Sequence, residues 1–479
     1  MPRWITARKW LALLAVFAIA VLAFAACEDE EGGTTPPAGQ SPTVPPAAGG
    51  PLKIGLLFSY TGGLKDFGPP HEQAAKLAVK HINDAGGVLG QDVLVVTADD
   101  GTLPDTGVAE ARRLVDVEKV NAIVGALGTS VSLTVAESVT APAKILQVSG
   151  SSTGPALTAA NDNDYTFRTP ISDAAQGLVL ARVIYDDLGY KSVCTMYVNN
   201  AYGQGLSENF AAAYEDKGGT VTAQVPHPEK ATTLLSELDQ CVDGDPEAMA
   251  ALSYPTSQAD VYLKEAVEND VIDKFVFVDG TKSPAMFKRL GWANFDGMKG
   301  TAPGALPPSD FTTAFDAEFK KEYGALYQQA FVRETYDAVM AIALAAEAAQ
   351  STDSTAIRDK LRDVANAPGA AVGGPPSGIA AALEAAASGT DIDYSGASGS
   401  VEFDAKGDIS LGAIEVWHVD AAAEKLVVDT NFKVDLAAGT VEEIPAAGAR
   451  DFHHTPAYDT PDYVAAVWAP LSREFLRFA

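Results

Sequence analysis

Two clusters of small hydroxylated residues, Leu127-Gly128-Thr129-Ser130 and Ser149-Gly150-Ser151-Ser152-Thr153, each follow an apolar run. The runs are Ala122-Ile123-Val124-Gly125 and Lys144-Ile145-Leu146-Gln147-Val148, and both read as buried strands. Val131–Pro142 between them has helical spacing. In an open parallel α/β sheet, loops leaving the carboxyl ends of neighbouring strands line the ligand crevice, and helix N-termini turn free N–H groups toward it. Such a pair of loops offers donors to an anion, most simply a carboxylate. Thr129 and Ser130 also suit the ordinary task of capping the helix that follows.

A second chemistry fits the same residues. Gly150-Ser151-Ser152-Thr153-Gly154 matches the nucleophile elbow G-x-S-x-G, with Ser152 as the nucleophile of a serine hydrolase. An elbow turns directly into a helix, whereas Pro155 and the polar run Thr158–Asp164 announce a loop. His227, His418, His453 and His454 follow in a permissible order but without a partner context. We therefore expect no enzymatic activity. No P-loop is present, and neither the pair His453-His454 nor His71 with His81 has the spacing of a metal helix, so no metal or cofactor is expected.

The elements that must position these loops alternate in type. Leu52–Phe58 is an apolar strand, Pro69–Ala85 a helix, Val93–Thr97 a strand and Asp105–Lys119 a helix. After a pause at Gly154–Thr169 the rhythm resumes. Helices at Asp173–Leu188, Tyr202–Lys217, Thr232–Cys241 and Gln258–Glu268 alternate with strands at Ser192–Val198, Thr220–Val225, Met249–Ser253 and Phe275–Val278. This pattern predicts βαβ units and two doubly wound α/β halves with a cleft between their strand ends. Helices are expected at Phe311–Tyr323, Thr335–Gln350 and Ser354–Val364, and a late hairpin around Trp417 and Leu426-Val427-Val428. The aromatic-rich stretch Asp451–Ala479 matches no element type.

With 479 residues and 47% hydrophobic content the chain has material for two or more packed domains. A formal charge of -29 excludes the basic stripe that phosphate neutralisation needs, so no nucleic acid is expected as a partner. Arg3, Arg8 and Lys9 precede the apolar run Leu11–Phe24 and the small residues Ala25-Ala26-Cys27. That is a signal peptide over residues 1–26, and Phe24–Cys27 is similar to a bacterial lipobox with Cys27 as the lipidated residue. An ordinary secretory signal with an incidental cysteine is the alternative. Residues 27–51, rich in acidic residues, Pro and Gly, read as a disordered tether. Export makes a Cys194–Cys241 disulfide plausible, against two buried thiols.

Ten stretches in order carry a resemblance: KIGLLFSYTGGLKDFG, INDAGGVLGQ, VGALGTSVS, KILQVSGSSTGPALT, TFRTPISDAAQG, YVNNAYGQGL, ALSYPTSQAD, FVDGT, ETYDA and DYSGASGSVEFDAKGD. The body Leu52–Val434 resembles the type I periplasmic solute-binding proteins of the branched-chain amino acid (Leu/Ile/Val-binding) class, the binding components of ABC importers. The resemblance implies two Rossmann-like lobes joined by three crossovers, with residues 52–170 and 303–398 in the first, 171–302 and 399–440 in the second, and an unassigned extension over 441–479. It places Phe67 on the pocket wall, the ligand carboxylate on Thr129 and Ser130, and both charged ends against the Ser151, Ser152 and Thr153 loop. Tyr202 and Tyr254 match aromatics of the second lobe, and Asp279 an acid facing the α-ammonium. The implied protein is a monomer that captures an amino acid or related carboxylate or amide, with permease and ATPase subunits as partners and a lipid anchor holding it on the outer face of the cytoplasmic membrane. A ligand-sensing receptor subunit uses the same fold. Serines at 151 and 152 are more polar than the alanines common there, which counts against a simple aliphatic amino acid, and family members also take amides, urea-like compounds and aromatic acids.

Overall fold

The structure, a computed structural model, describes residues 49–306, 309–374 and 376–444. The signal peptide, Cys27, nearly all of the tether and residues 445–479 lie outside the described residues.

Each apolar run becomes a strand because helices cover both faces of its sheet, which is why the strands read as continuous rather than alternating hydrophobic segments. Strands β1 (Lys53–Phe58), β2 (Leu94–Asp99), β3 (Ala122–Gly125), β4 (Leu146–Ser149) and β5 (Thr166–Arg168) form an all-parallel sheet in the order β2-β1-β3-β4-β5. Every residue of β3 and β4 is buried. Parallel strands β6 (Ser192–Val198), β7 (Thr220–His227), β8 (Ala248–Leu252), β9 (Phe275–Phe277) and β10 (Lys299–Gly304) build the second sheet. The short pair β11 (Ala370–Val372) and β12 (Ile392–Tyr394) stands apart. The antiparallel strands β13 (Leu411–Asp420), β14 (Lys425–Asp435) and β15 (Thr440–Ile444) then extend the second sheet to the order β15-β14-β13-β10-β9-β8-β6-β7.

The helix Val332–Ala349 is buried along almost its whole length. It packs on β3 and β4 and against the helices Gly68–Asp84, Ser354–Ala365 and Ile379–Ala387, so the returning segment completes the first lobe. The chain passes between lobes at Thr169–Ser172, between β10 and the helix Asp310–Tyr323, and between β12 and β13. The first and third passages touch through a bridge between Ile171 and Ile409. Cys194 on β6 and Cys241 on the helix Leu235–Val242 are joined by a disulfide, with Cα atoms 5.4 Å apart.

Five strands, β5, β10, β11, β12 and β15, fall outside the sequence expectation. β10 reads Lys-Gly-Thr-Ala-Pro-Gly, with no apolar run, and becomes a strand through its antiparallel register with β13, Gly300 lying opposite Trp417. β5 is three residues long and forms beside β4. The helix expected at Asp105–Lys119 is an α-helix only over Pro104–Arg112 and widens into a π turn over Arg113–Val117.

Candidate functional site

The loops after β3 and β4 meet those after β6, β8 and β9 around a cavity of about 10 Å³. The first lobe contributes Leu64, Phe67, Leu127, Thr129, Ser151, Thr153 and Phe331, and the second Tyr202, Tyr254, Asp279 and Gly280.

Thr129 is the first residue of the helix Thr129–Val135, whose N-cap, Gly128, is extended and supplies no side-chain cap. The Thr129 hydroxyl accepts from Gly154 N at 3.0 Å, which ties the two hydroxylated loops together and leaves its own hydrogen to donate. Thr153 presents a buried Oγ1 without a hydrogen-bond partner among the described residues. Its carbonyl accepts from Arg168 Nη1 at 2.7 Å and from Asp173 N at 2.9 Å. Gly150 has to be glycine for a steric reason, since a Cβ there would lie 2.5 Å from Thr335 Oγ1 and 2.6 Å from Thr335 Cα.

Two expected ligands point elsewhere. Ser152 Oγ pairs with Ser132 Oγ at 2.8 Å and donates toward the Ala126 and Leu127 carbonyls, so it joins the two strand ends from behind instead of lining the cavity. Ser130 Oγ accepts from Ala201 N at 3.0 Å and thereby bridges the lobes beside the cavity. For the elbow chemistry, the described histidines are engaged away from Ser152: His71 with Phe67 O, His81 with Tyr336, His227 with Ser253 and Pro228 O, and His418 with Asp429.

In the second lobe Asn200 caps the helix Ala201–Asp216 by accepting from Tyr202 N and Gly203 N, and this orients Tyr202 into the cleft. Tyr254 stacks on Tyr202 with ring centroids 5.2 Å apart. Tyr202 Oη donates to Asp279 Oδ1 at 2.8 Å, and Gln176 Nε2 donates to the same oxygen at 2.8 Å.

Behind Asp279 lies an acid that sequence reasoning missed. Asp173, in the first turn of the helix Asp173–Arg182, is fully buried, and neither of its carboxylate oxygens has a hydrogen-bond partner among the described residues. Burial and then the Asp279 charge push its carboxyl well above the usual range, while Arg168 and the Thr153 hydroxyl, which lies near Asp173 but outside hydrogen-bonding geometry, pull the other way. Burial likewise raises Asp279 to about 6, although the hydrogen bonds from Tyr202 and Gln176 oppose it. Arg168 does not neutralise the pair, because it forms a 2.7 Å ion pair with Asp408. Among the described residues, neither Lys nor Arg lines the cavity. The usable signal was the spacing of Asp173 and Gln176, three apart and hence on one helix face. Leu64, Leu127 and Phe331 were missed as apolar wall residues, for which sequence carries no signal beyond hydrophobicity.

The site therefore has neutral donors on the first lobe, buried acids on the second, and aromatic or aliphatic walls between. An ammonium would bring N–H donors and a positive charge to the acid side, where Asp279 lines the cavity with Asp173 behind it, and a carboxylate suits Thr129 and Thr153.

The chain is similar to known proteins over most of its length. The chemotactic signal transduction system substrate-binding protein BasB of Halobacterium salinarum is 28% identical over 385 residues, covering 79% of this chain and 89% of that protein. A leucine binding protein from Thermotoga maritima shares the fold with a TM-score of 0.67 and 23% identity, over 80% of this chain and 99% of that one. A solute binding protein of an ABC transporter from Rhodopseudomonas palustris, in complex with 3,4-dihydroxy benzoic acid, gives a TM-score of 0.64 and 20% identity, over 80% of this chain and 98% of that one. The family model described as periplasmic binding protein matches residues 51–382, and the chain belongs to that family.

Proposed function

We propose that this protein is the extracytoplasmic solute-binding component of an ABC importer and that its solute is an α-amino acid. The observation that carries the choice of ligand is the lining of the cavity, where Asp279 is the one acid, buried with Asp173 behind it and with no Lys or Arg among the described lining residues, while the opposite wall offers only neutral donors. A zwitterion satisfies both ends. The Rhodopseudomonas neighbour holds a benzoic acid, which has a carboxylate and no ammonium; here such a ligand would leave the acids unpaired, so an aromatic acid is the weaker reading. A sensing role, suggested by the signalling protein of Halobacterium salinarum, would use the same cleft with a membrane receptor in place of a permease.

A thermal-shift screen over amino acids, amides and aromatic carboxylates tests the reading. A ligand at a hundred times its dissociation constant adds about 2.7 kcal/mol. Stabilisation by aromatic acids or amides but by no amino acid would refute it. Asp279→Ala should weaken an amino acid by about 2–5 kcal/mol, because it removes the carboxylate that faces the ammonium across the cavity. Thr129→Ala should cost about 1.5–3 kcal/mol for one lost bond to a charged group.

Location is part of the proposal. Cys27 carries the lipid that holds the body at the outer face of the cytoplasmic membrane, and a triacylated N-terminus is what makes such anchoring firm. Replacing it, Cys27→Ser, should release the protein from membranes on fractionation; unchanged membrane association would sink the assignment.

A further inference from the structure

Two hydroxyls of the first lobe that face the cavity depend on one short segment, and a residue outside the cavity holds that segment. Thr153 lines the cavity, and its hydroxyl has no hydrogen-bond partner among the described residues. Gly154 N donates to Thr129 Oγ1 at 3.0 Å, which leaves the Thr129 hydrogen for a solute. The two loops approach closely here, since a Cβ on Gly154 would lie 2.6 Å from Thr129 Cγ2 and 3.0 Å from Thr129 Oγ1. A rotation of the Thr153-Gly154 backbone therefore moves both hydroxyls.

Arg168, the last residue of β5, is 1% exposed and stands outside the described lining of the cavity. Its Nη1 donates to the Thr153 carbonyl at 2.7 Å and to the Gly154 carbonyl at 3.0 Å, two successive peptide units. Its Nη2 donates to Asp408 Oδ2 at 2.8 Å and to Thr158 Oγ1 at 3.0 Å, while Nε lies 2.7 Å from Asp408 Oδ1. A guanidinium holds its donors in one plane, so a carboxylate that grips one edge fixes the direction in which Nη1 points. The backbone is tied at the same place, because Arg168 N donates to Gly407 O at 3.0 Å. Asp408 precedes Ile409, whose bridge to Ile171 joins the third passage between the lobes to the first. One end of this clamp is fastened where two passages meet, and the other holds the segment that carries Thr153.

We propose that Arg168, oriented by Asp408, is a positioning residue for the carboxylate end of the site. It fixes the Thr153-Gly154 peptides from which Thr129 and Thr153 meet the solute, and it does not touch the solute itself. The proposal rests on the reading of those two hydroxyls as the anion-binding side and adds the residue that aims them. A lysine at this position would keep a positive charge for Asp408 but has one nitrogen in place of the fork, so it cannot hold two carbonyls and a carboxylate edge together. If charge alone mattered, Arg168→Lys would be silent.

Amide hydrogen exchange of the unliganded mature protein tests the clamp. Opening is local in a folded protein, so in Arg168→Lys the Gly154 amide should exchange at least about tenfold faster while the amides of β8 keep their rates. An unchanged Gly154 rate, or one uniform acceleration across both lobes, would overturn the proposal. Calorimetry then reads the solute, with the common L-amino acids and benzoate titrated into the unmodified protein, Arg168→Lys, Thr129→Val and the double variant. Arg168→Lys should weaken each compound that binds by about tenfold, and most of that loss should vanish in the Thr129→Val background, the non-additivity of residues in one hydrogen-bond network. Equal losses in the two backgrounds, or no loss, would overturn the proposal and leave the amino acid reading standing. If no amino acid binds the unmodified protein, the amino acid reading falls, and the Gly154 exchange rate decides the role of Arg168. Asp408→Asn, which removes the charge that orients the guanidinium, takes the place of Arg168→Lys in both measurements if melting shows that the lysine variant does not fold.

Discussion

A proton and a ligand ammonium compete for the same acids, and the competition has a calculable size. Burial holds Asp279 at about 6 in place of 3.8, and Asp173 is raised in the same direction. An ammonium pairs with the ionised carboxylate only. Near pH 7 Asp279 is mostly ionised, whereas near pH 5 about nine molecules in ten carry a proton that binding must expel, at about 1.4 kcal/mol per pH unit. Affinity for the best amino acid should therefore be about tenfold weaker at pH 5 than at pH 7, with Asp173 adding to the slope. Calorimetry near pH 6 in two buffers of different ionisation enthalpy should register about half a proton released from Asp279. Asp279→Asn keeps an oxygen that accepts from Tyr202 and Gln176, and it should flatten the profile while weakening binding. Equal affinity of the unmodified protein at pH 5 and pH 7 would refute the reasoning.

The same shift has a consequence for stability of opposite sign to that of a salt-bridged carboxylate. Because the folded-state pKa of Asp279 is raised, folding is favoured below the unfolded pKa and loses ground as pH rises from about 4 through about 6, levelling off above. The loss is up to about 3 kcal/mol for a shift of about two units. Asp279→Asn should thus raise the melting temperature of the unliganded protein at pH 7, and leave it nearly unchanged near pH 4.

Two further outcomes follow from contacts away from the acids. Asp66→Ala removes the acceptor shared by Ser283 and Arg289, so small-angle scattering should show a more open particle without ligand and calorimetry a weaker affinity; unchanged values for both would show that this pair does not hold the lobes together. The disulfide closes a loop with a sequence separation of 47, which on the chain-entropy account is worth about 4 kcal/mol, so reductant should lower the denaturant midpoint and Cys194→Ala with Cys241→Ala should reproduce that loss.

How far the sequence reveals this site depends on which physical signal each part carries. The bounds of β3 and β6 can be read directly because a strand covered on both faces is apolar along most of its length, as β3 is entirely and β6 is but for Ser192 and Thr195. β10 cannot, because its pairing with β13 depends on a strand more than a hundred residues away. Within the Ser149–Thr153 loop the residue types carry the chemistry but not the direction. Ser151 and Thr153 reach the cavity and Ser152 points to the opposite side, the alternation of an extended segment, and three consecutive hydroxyls give no way to choose the phase. Asp173 was obscured by its position, since an acid in the first turn of a helix already has an ordinary electrostatic role there. Only tertiary placement shows that it lacks partners and stands beside Asp279.

A ligand shifts a closing equilibrium only by as much as it prefers the closed state, so what matters is which lobe each of its groups touches. Thr129 and Thr153 belong to the first lobe, and Asp279 and Tyr202 to the second. A carboxylate alone meets donors on one side and gains little from closure. An ammonium alone meets the acids, whose own lobe holds them in either state. Only a molecule that carries both groups a bond or two apart spans the cleft. The bonds from Asp66 to Ser283 and Arg289 and from Ala201 to Ser130 need no ligand, and they lower the amount of closure that the ligand has to supply. An affinity measured for such a protein is the intrinsic one scaled by the fraction of molecules already competent. The contacts between the lobes therefore set the affinity for every ligand alike, while the groups that line the cavity, Thr129 and Thr153 on one side and Asp279 on the other, decide which ligand benefits from it.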